Sequence, residues 1–411
     1  VRAIEVQALG DLAGEAASGT AARIEEMHTG VAGRVFGAVA AAGQAFPPVG
    51  WATVPVQAIH GSVARNVYKG VRYALGAAMR GGSDAMRRAV PAGAVPIEQA
   101  LPGRVALGAL NGAFGDRLAR QRSALTIGMS IRRNGRVVGT SPPQLAAASP
   151  DATPKLVVFV HGLCGTEDGW WLWSGRHDPY GVRLKSELAY TALYVRYNSG
   201  CHISENGREL ALLLERVVQG WPVPITEIAL IGHSMGGLVA RSACHYGDGS
   251  AWPSRVRHIF TLGSPHRGAP LEQLACAASD RLSVLPETRA MQSTLNLRSA
   301  GIKDLCHGFL CDEDWIGCDG KSFLRETARQ IPFLRGANHY FVAATVSRDP
   351  DSPAGRLVGD LLVQHASASG RERNERLTFP IDHYWHIGPA HHMSLLNHPA
   401  VYEQMRKWLG R

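Results

Sequence analysis

Apolar and polar positions alternate between two periods along the second half of this chain. Short, mostly apolar runs, Lys155–Val160, Thr191–Tyr197, Ile228–Ile231, His258–Gly263 and His339–Val346, have the length and composition of buried strands. Between them lie helical patterns. The stretch Asn206–Gly220 sets Leu210, Leu213, Leu214, Val217 and Val218 on one face, and Trp221-Pro222-Val223-Pro224 ends it. A helix is also predicted over Pro399–Leu409, and a further strand near Ile381–Ile387. Strands alternating with helices call for right-handed crossovers and a mostly parallel sheet covered on both faces.

Upstream, Ala124–Val138 alternates, breaks at Asn134-Gly135 and alternates again, the signature of a hairpin with a type I′ turn at an antiparallel edge. Ser141–Thr153, rich in Pro, Ser and Ala, reads as a linker or loop. Residues 1–123 read as helices between Gly/Pro breaks: Ala13–His28, Ser62–Met79 and Arg104–Arg122. Pro270–Gly336 carries short helical stretches without a clear strand, an insert of the size of a lid. The expected organisation is a basic helical extension over 1–123 and an α/β catalytic domain over 124–411, with 270–336 as its lid or cap.

Charge sharpens that division. Residues 1–150 hold 16 Lys+Arg against 8 Asp+Glu, and the remainder 27 against 26, so the net charge of +9 sits almost wholly in the first third. Such a segment suits peripheral contact with anionic headgroups or an acidic partner, and equally a solvated basic face. No aromatic-basic interleaving points to nucleic acid. Val35–Ile59 lacks charge, but Pro47, Pro48 and Pro55 would break it before it could span a bilayer. Seven cysteines scattered from Cys164 to Cys318 do not form a disulfide framework, although Cys306, Cys311 and Cys318 cluster. A cytoplasmic or peripheral-membrane location is expected.

The chemistry concentrates around Gly232-His233-Ser234-Met235-Gly236. This G-x-S-x-G falls where an apolar strand gives way to a helical pattern, so Ser234 would sit on a sharp strand-to-helix turn with its hydroxyl exposed. Any Cβ at Gly232 or Gly236 would press on a neighbouring strand or helix. A serine nucleophile needs a base, a carboxylate to orient it and backbone donors for the oxyanion. For the acid, Asp360 follows the strand after the insert, with Asp349 and Asp351 as rivals; for the base, His392 precedes apolar Leu395 and Leu396, with His391 beside it. The expected oxyanion donors are the N–H groups of Met235, at the head of the following helix, and of Leu163, in the loop after the first parallel strand. His161 reads as a structural residue of that loop. Trp170, Trp171 and Trp173 would line an acyl pocket or pack in the core. His383, His386, His391 and His392 include H-x-x-H spacing, but no carboxylate or cysteine ligand accompanies them, so neither metal nor organic cofactor is expected.

With those residues in view, the chain resembles α/β-hydrolases of the lipase/esterase kind, particularly bacterial lipases and the GPI inositol-deacylase-like branch. The matching segments are FVHGLCG (Phe159–Gly165), RYNSG (Arg196–Gly200), LIGHSMGGLVAR (Leu230–Arg241), TLGSPHRGAPL (Thr261–Leu271), VGDLLV (Val358–Val363) and HMSLLNHPAVYEQ (His392–Gln404). The resemblance implies Ser234 as nucleophile, Asp360 as acid and His392 as base, acting on carboxylic esters, and is poorly specific for substrate; the lid-sized insert, the aromatic residues and the basic extension favour medium- to long-chain lipid esters. Acyl transfer or thioester cleavage on the same triad, and a non-catalytic binding protein on the same fold, are the rivals.

Overall fold

The computed structural model describes residues 1–16, 18–19, 69, 81–91, 93–268, 298–316, 329, 331–350, 360, 363, 367 and 383–410. They fall in two compact units, one made of 1–97, 123–125 and 275–298, the other of 98–122, 126–274 and 299–411. In the first, residues 3–16 and 81–89 are helical, and the buried Glu5 carboxylate accepts the Ile97 N–H at 3.0 Å and pairs with Arg2 at 2.9 Å. The expected helix Ser62–Met79 lies outside the described residues, save position 69. No described helix is long and apolar enough to cross a membrane.

The second unit holds an eight-stranded sheet. Its elements are α1 (Leu101–Arg120), β1 (Ser130–Arg133), β2 (Arg136–Val138), α2 (Pro142–Ala148), β3 (Lys155–Val160), α3 (Tyr180–Leu188), β4 (Tyr190–Arg196), α4 (Ile203–Gly220), β5 (Glu227–His233), α5 (Met235–Tyr246), β6 (Val256–Leu262), α6 (Ala300–His307), α7 (Asp312–Trp315), β7 (Asn338–Ala344), β8 (Tyr384–Ile387) and α8 (Pro399–Leu409). The strand order is β2-β1-β4-β3-β5-β6-β7-β8, with β1 antiparallel to both neighbours and every other pair parallel. This is the mostly parallel, doubly covered sheet of the α/β-hydrolase fold.

The pleat sorts the core into two layers. Leu156, Val158 and Val160 of β3, with Ile228 and Leu230 of β5, face Leu210, Leu214 and Val217 of α4 and Leu238 and Val239 of α5. Val157, Phe159, Ala229 and Ile231 face the other way, onto Tyr180 and Leu184 of α3 and Tyr402, Met405 and Trp408 of α8. Both faces of each central strand are therefore apolar, which is why these strands read as continuous runs.

The hairpin turns at Asn134 and Gly135, with φ of 51° and 76° as a type I′ turn requires. Two expectations shift. The segment expected as a linker contains α2, because Pro142 and Pro143 supply preset φ at the first helical positions and Leu145 buries itself against the sheet unit. The helix expected at the end of the basic extension is α1, and it belongs to the sheet-bearing unit. Of the expected insert, α6 and α7 are described, and 269–297, 317–328 and 330 lie outside. No disulfide joins Cys306 to Cys311, and Cys318 is outside the described residues.

Candidate active site

β5 ends at His233 and α5 begins at Met235, leaving Ser234 alone to turn the chain, at φ 53° and ψ −125°. That is a conformation an L-residue adopts only when its surroundings impose it. Ser234 N–H donates to the Leu262 carbonyl of β6 at 2.8 Å, which pins the turn to the neighbouring strand. A Cβ at Gly236 would strike the Val160 and His161 carbonyl oxygens at the end of β3, and one at Gly232 the backbone of Gly236 and Gly237. The elbow is thus packed backbone to backbone on both sides, and the two glycines make the approach sterically open.

His392 lies buried in a short 3-10 segment, His392–Leu396, anchored by Leu395 and Leu396 in the core. Its Nδ1 is 2.7 Å from Oδ2 of Asp360, which is fully buried. The other carboxylate oxygen accepts the Val363 N–H at 2.8 Å, and the Asp360 carbonyl accepts the His392 N–H at 3.0 Å. Both ends of the acid are therefore engaged, and the imidazole is fixed with Nδ1–H toward the carboxylate and Nε2 as its basic nitrogen. Of the rival acids, Asp349 is described in the loop after β7 and Asp351 lies outside the described residues. His391 is exposed, its ring 6.5 Å from that of Trp173.

The His392 ring packs 4.6 Å from that of His233, and a Cβ at Gly263 would come within 3.1 Å of its Cε1 and Nδ1. Since Leu262 also holds the Ser234 N–H, the end of β6 brings serine and imidazole to one place. His233 Nε2–H donates to the His392 carbonyl at 3.2 Å. Burial, with His392 alongside, holds the His233 pKa well below the ordinary histidine value.

The loop after β3 is ordered from beneath by His161. Its Nδ1–H donates to the Gly162 carbonyl at 2.8 Å, its Nε2 accepts the Tyr197 N–H at 3.3 Å, and the Tyr197 hydroxyl returns a bond to the His161 carbonyl at 2.8 Å. Burial lowers the His161 pKa to about 4, so the ring is neutral and this tautomer is the one the bonds require. The Gly162 carbonyl also accepts the Gly165 N–H at 3.1 Å. In a trans peptide C=O and N–H point oppositely, so turning the Gly162 carbonyl onto His161 turns the Leu163 N–H the other way. Among the described residues, neither the Leu163 nor the Met235 N–H has a hydrogen-bond partner. Gly162 itself abuts Ser234, whose Cβ would lie 3.0 Å from an added Cβ.

The three tryptophans divide. Trp170 is core, packed on Phe159 at 4.8 Å, and Trp171 packs at a tilt on Tyr194 at 4.3 Å. Trp173 is 42% exposed and, with Leu172 and Met393, leaves apolar surface beside the His391–His392 segment. The sequence assigned His161 a structural role; its specific grip on the Gly162–Leu163 peptide and the contact of His233 with His392 were not anticipated. The pairing of a histidine with each half of H-G and G-H-S is the only sequence signal for them.

The fold is the α/β-hydrolase fold. A family model described as the PGAP1-like alpha/beta domain matches residues 151–331, a span that includes Leu163 and Ser234 and stops before Asp360 and His392. A triacylglycerol lipase of Burkholderia plantarii is 31% identical over 145 residues, 33% of this chain and 36% of that protein. One from Pseudarthrobacter phenanthrenivorans is 31% identical over 128 residues, 29% of this chain and 35% of that protein. The matched stretch thus spans about a third of the length of these relatives. Among solved structures, the mature Bacillus licheniformis lipase BlEst2 superposes with a TM-score of 0.41 at 20% identity, over 62% of this chain and 91% of that one.

Proposed function

We propose that this protein is a serine carboxylic-ester hydrolase in which Ser234 attacks the ester carbonyl, His392 carries the proton and Asp360 stabilises the imidazolium, through an acyl-enzyme. The observation that carries the proposal is the buried 2.7 Å bond from His392 Nδ1 to Asp360, delivered against the residues that flank the strained turn at Ser234. An imidazole so held presents Nε2 as general base and returns the proton to the leaving alcohol. The Leu163 and Met235 N–H groups would hold the oxyanion, where fixed donors in a water-poor site do the most to lower the barrier. No metal or organic cofactor enters this chemistry.

For the substrate we propose a medium- to long-chain lipid ester. The relatives are named triacylglycerol lipases, and Leu172, Trp173 and Met393 give the His392 rim an apolar surface suited to an acyl chain. Peripheral contact of the basic segment 1–123 with a lipid surface belongs to the same proposal.

Hydrolysis of p-nitrophenyl esters from C2 to C16 tests both parts. Wild type should turn over with an optimum at C8 or longer, and Ser234→Ala should lose about four orders of magnitude or more in kcat. Full activity in Ser234→Ala would refute the nucleophile, and an optimum at C2 would refute the lipid substrate. Transfer to an added alcohol or thiol in preference to water would make the enzyme an acyltransferase.

A further inference from the structure

The loop that carries the Leu163 N–H is irregular, so something outside it must set its height above Ser234. Beneath it lies His161. Above it lies α1, a helix outside the 151–331 family match. One face of α1 carries Arg104, Gly108, Gly112 and Gly115, spaced four, four and three residues apart, and that face is laid on the loop.

The fit is close. A Cβ at Gly108 would stand 2.9 Å from the Gly165 carbonyl oxygen and 2.9 Å from Thr166 Cγ2. At Gly112 it would stand 2.8 Å from both the Cα and the N of Cys164, and collide with the Cys164 sulfur. At Gly115 it would enter the Asn198 side chain, whose amide donates back to the Gly115 carbonyl at 2.9 Å. One turn before Gly108, Arg104 closes a two-pronged ion pair on Asp168, at 2.7 and 2.9 Å, and Asp168 in turn accepts the Thr166 hydroxyl at 3.1 Å. Cys164 takes φ 58° under this face, and its N–H donates to the Ser199 hydroxyl at 3.0 Å. The Gly112 carbonyl is held by the Ser299 hydroxyl at 2.6 Å, which ties α1 to the start of α6. The loop is thus clamped at its middle by Gly112 and at its exit by Arg104.

We propose that α1 is part of the catalytic apparatus, with Gly112 and Arg104 as positioning residues that hold the Gly162–Thr166 loop so that the Leu163 N–H meets the oxyanion. This rests on the assignment of Leu163 as an oxyanion donor. A methyl at Gly112 displaces the Cys164 backbone, the next residue along, by several tenths of an ångström. Oxyanion donors act over a narrow range of distance, and losing one costs about 100- to 1,000-fold in kcat, so partial displacement should cost about 10- to 100-fold.

The test uses the full chain with Gly112→Ala, Arg104→Met, Arg104→Lys and the double variant Gly112→Ala with Cys164→Gly. Two quantities are measured per active site: kcat and KM on p-nitrophenyl butyrate, and the rate constant for phosphonylation of Ser234 by a fluorophosphonate, whose phosphoryl oxygen occupies the same hole. Gly112→Ala should lower kcat and the phosphonylation rate about 10- to 100-fold with KM within about twofold. The double variant should regain part of that loss, because glycine removes the sulfur and adopts φ 58° freely. Arg104→Met should reduce both rates, with Arg104→Lys between it and wild type. Lowered melting temperature with both rates unchanged per site would make α1 a purely structural element and overturn the proposal. Phosphonylation by wild type without turnover of any ester would fail the substrate assignment instead, and the variant-to-wild-type phosphonylation ratio would still decide the clamp. Should Gly112→Ala fail to fold, equal rates in Arg104→Met and wild type would overturn it.

Discussion

Replacing Asp360 by asparagine removes one charge and almost no volume, and the structure says which way the new amide must face. One carboxylate oxygen accepts the Val363 N–H at 2.8 Å and the other meets His392 Nδ1 at 2.7 Å. Asparagine has one acceptor and one NH2. Its oxygen is required at the Val363 N–H, since an NH2 there would oppose another donor in a buried place, at a cost of about 1–3 kcal/mol. The NH2 then faces Nδ1, which must become an acceptor and hand its proton to Nε2. A ring protonated on Nε2 cannot take the Ser234 proton. With the geometry kept and the tautomer reversed, kcat should fall about 10⁴-fold, equivalent to about 5 kcal/mol of barrier. KM on a short p-nitrophenyl ester should stay near wild type, and the melting temperature should drop only slightly. Steady-state kinetics on matched wild type and Asp360→Asn, with active sites counted by phosphonylation taken to completion, provide the measurement. A variant within tenfold of wild type in kcat would refute the assignment of Asp360, and Asp349→Asn would become the next experiment.

Two further outcomes follow from buried charge. Arg196 is fully buried and grips the buried Glu167 through two bonds at 2.6 and 2.5 Å, while Glu98 joins it and Arg132 at 3.0 and 2.9 Å; Arg196→Met should cost about 3–5 kcal/mol in urea unfolding, most of it recovered in Arg196→Met with Glu167→Leu. The reverse pattern, with the double variant no better than the single, would rule out an uncompensated Glu167 charge as the cause. Acid should destabilise the protein early: burial lowers the pKa of His161 to about 4 and of His339 to about 3, and holds His233 and His266 well below the ordinary value. Between pH 6.5 and 4 the unfolded chain binds protons that the native rings refuse, so stability present above pH 6.5 is lost as the pH falls, by about 1.4 kcal/mol per unit per histidine. At pH 5 His161 and His339 together amount to about 4 kcal/mol, a large part of the whole stability of a domain, and His233 and His266 act in the same direction; a urea midpoint that is flat from pH 7 to 5 would contradict it.

What could be read from the sequence was whatever depends on neighbours in the chain. β3 and β5 were readable because both of their faces are covered, which leaves an unbroken apolar run, and α8 was readable to the residue, Pro399–Leu409, because a proline opens it and a glycine follows it. The elbow was readable because one glycine on either side of Ser234 is a local requirement of the turn. α2 was missed for the same reason in reverse: Pro142 and Pro143 look like linker residues unless they open a helix, and only Leu145 finding a core settles which they do.

The role of α1 was beyond such reading because its working face is made of absences. Gly108, Gly112 and Gly115 contribute no apolar stripe, so hydrophobic periodicity gave a helix without saying what it touches. Glycine in a helix costs about 1 kcal/mol against alanine, and three on one face make an intrinsically poor helix. That weakness is offset only where a backbone must come closer than a Cβ allows, as the Cys164 backbone does at 2.8 Å. The spacing of four and three residues, with an arginine one turn earlier, is the available signal, and it speaks for a close backbone approach without saying what approaches. An irregular loop cannot pay for its own order through regular hydrogen bonds, and a catalytic donor within it needs a rigid neighbour to hold its position. α1, outside the family match, thus adds a second support above a loop that His161 holds from beneath.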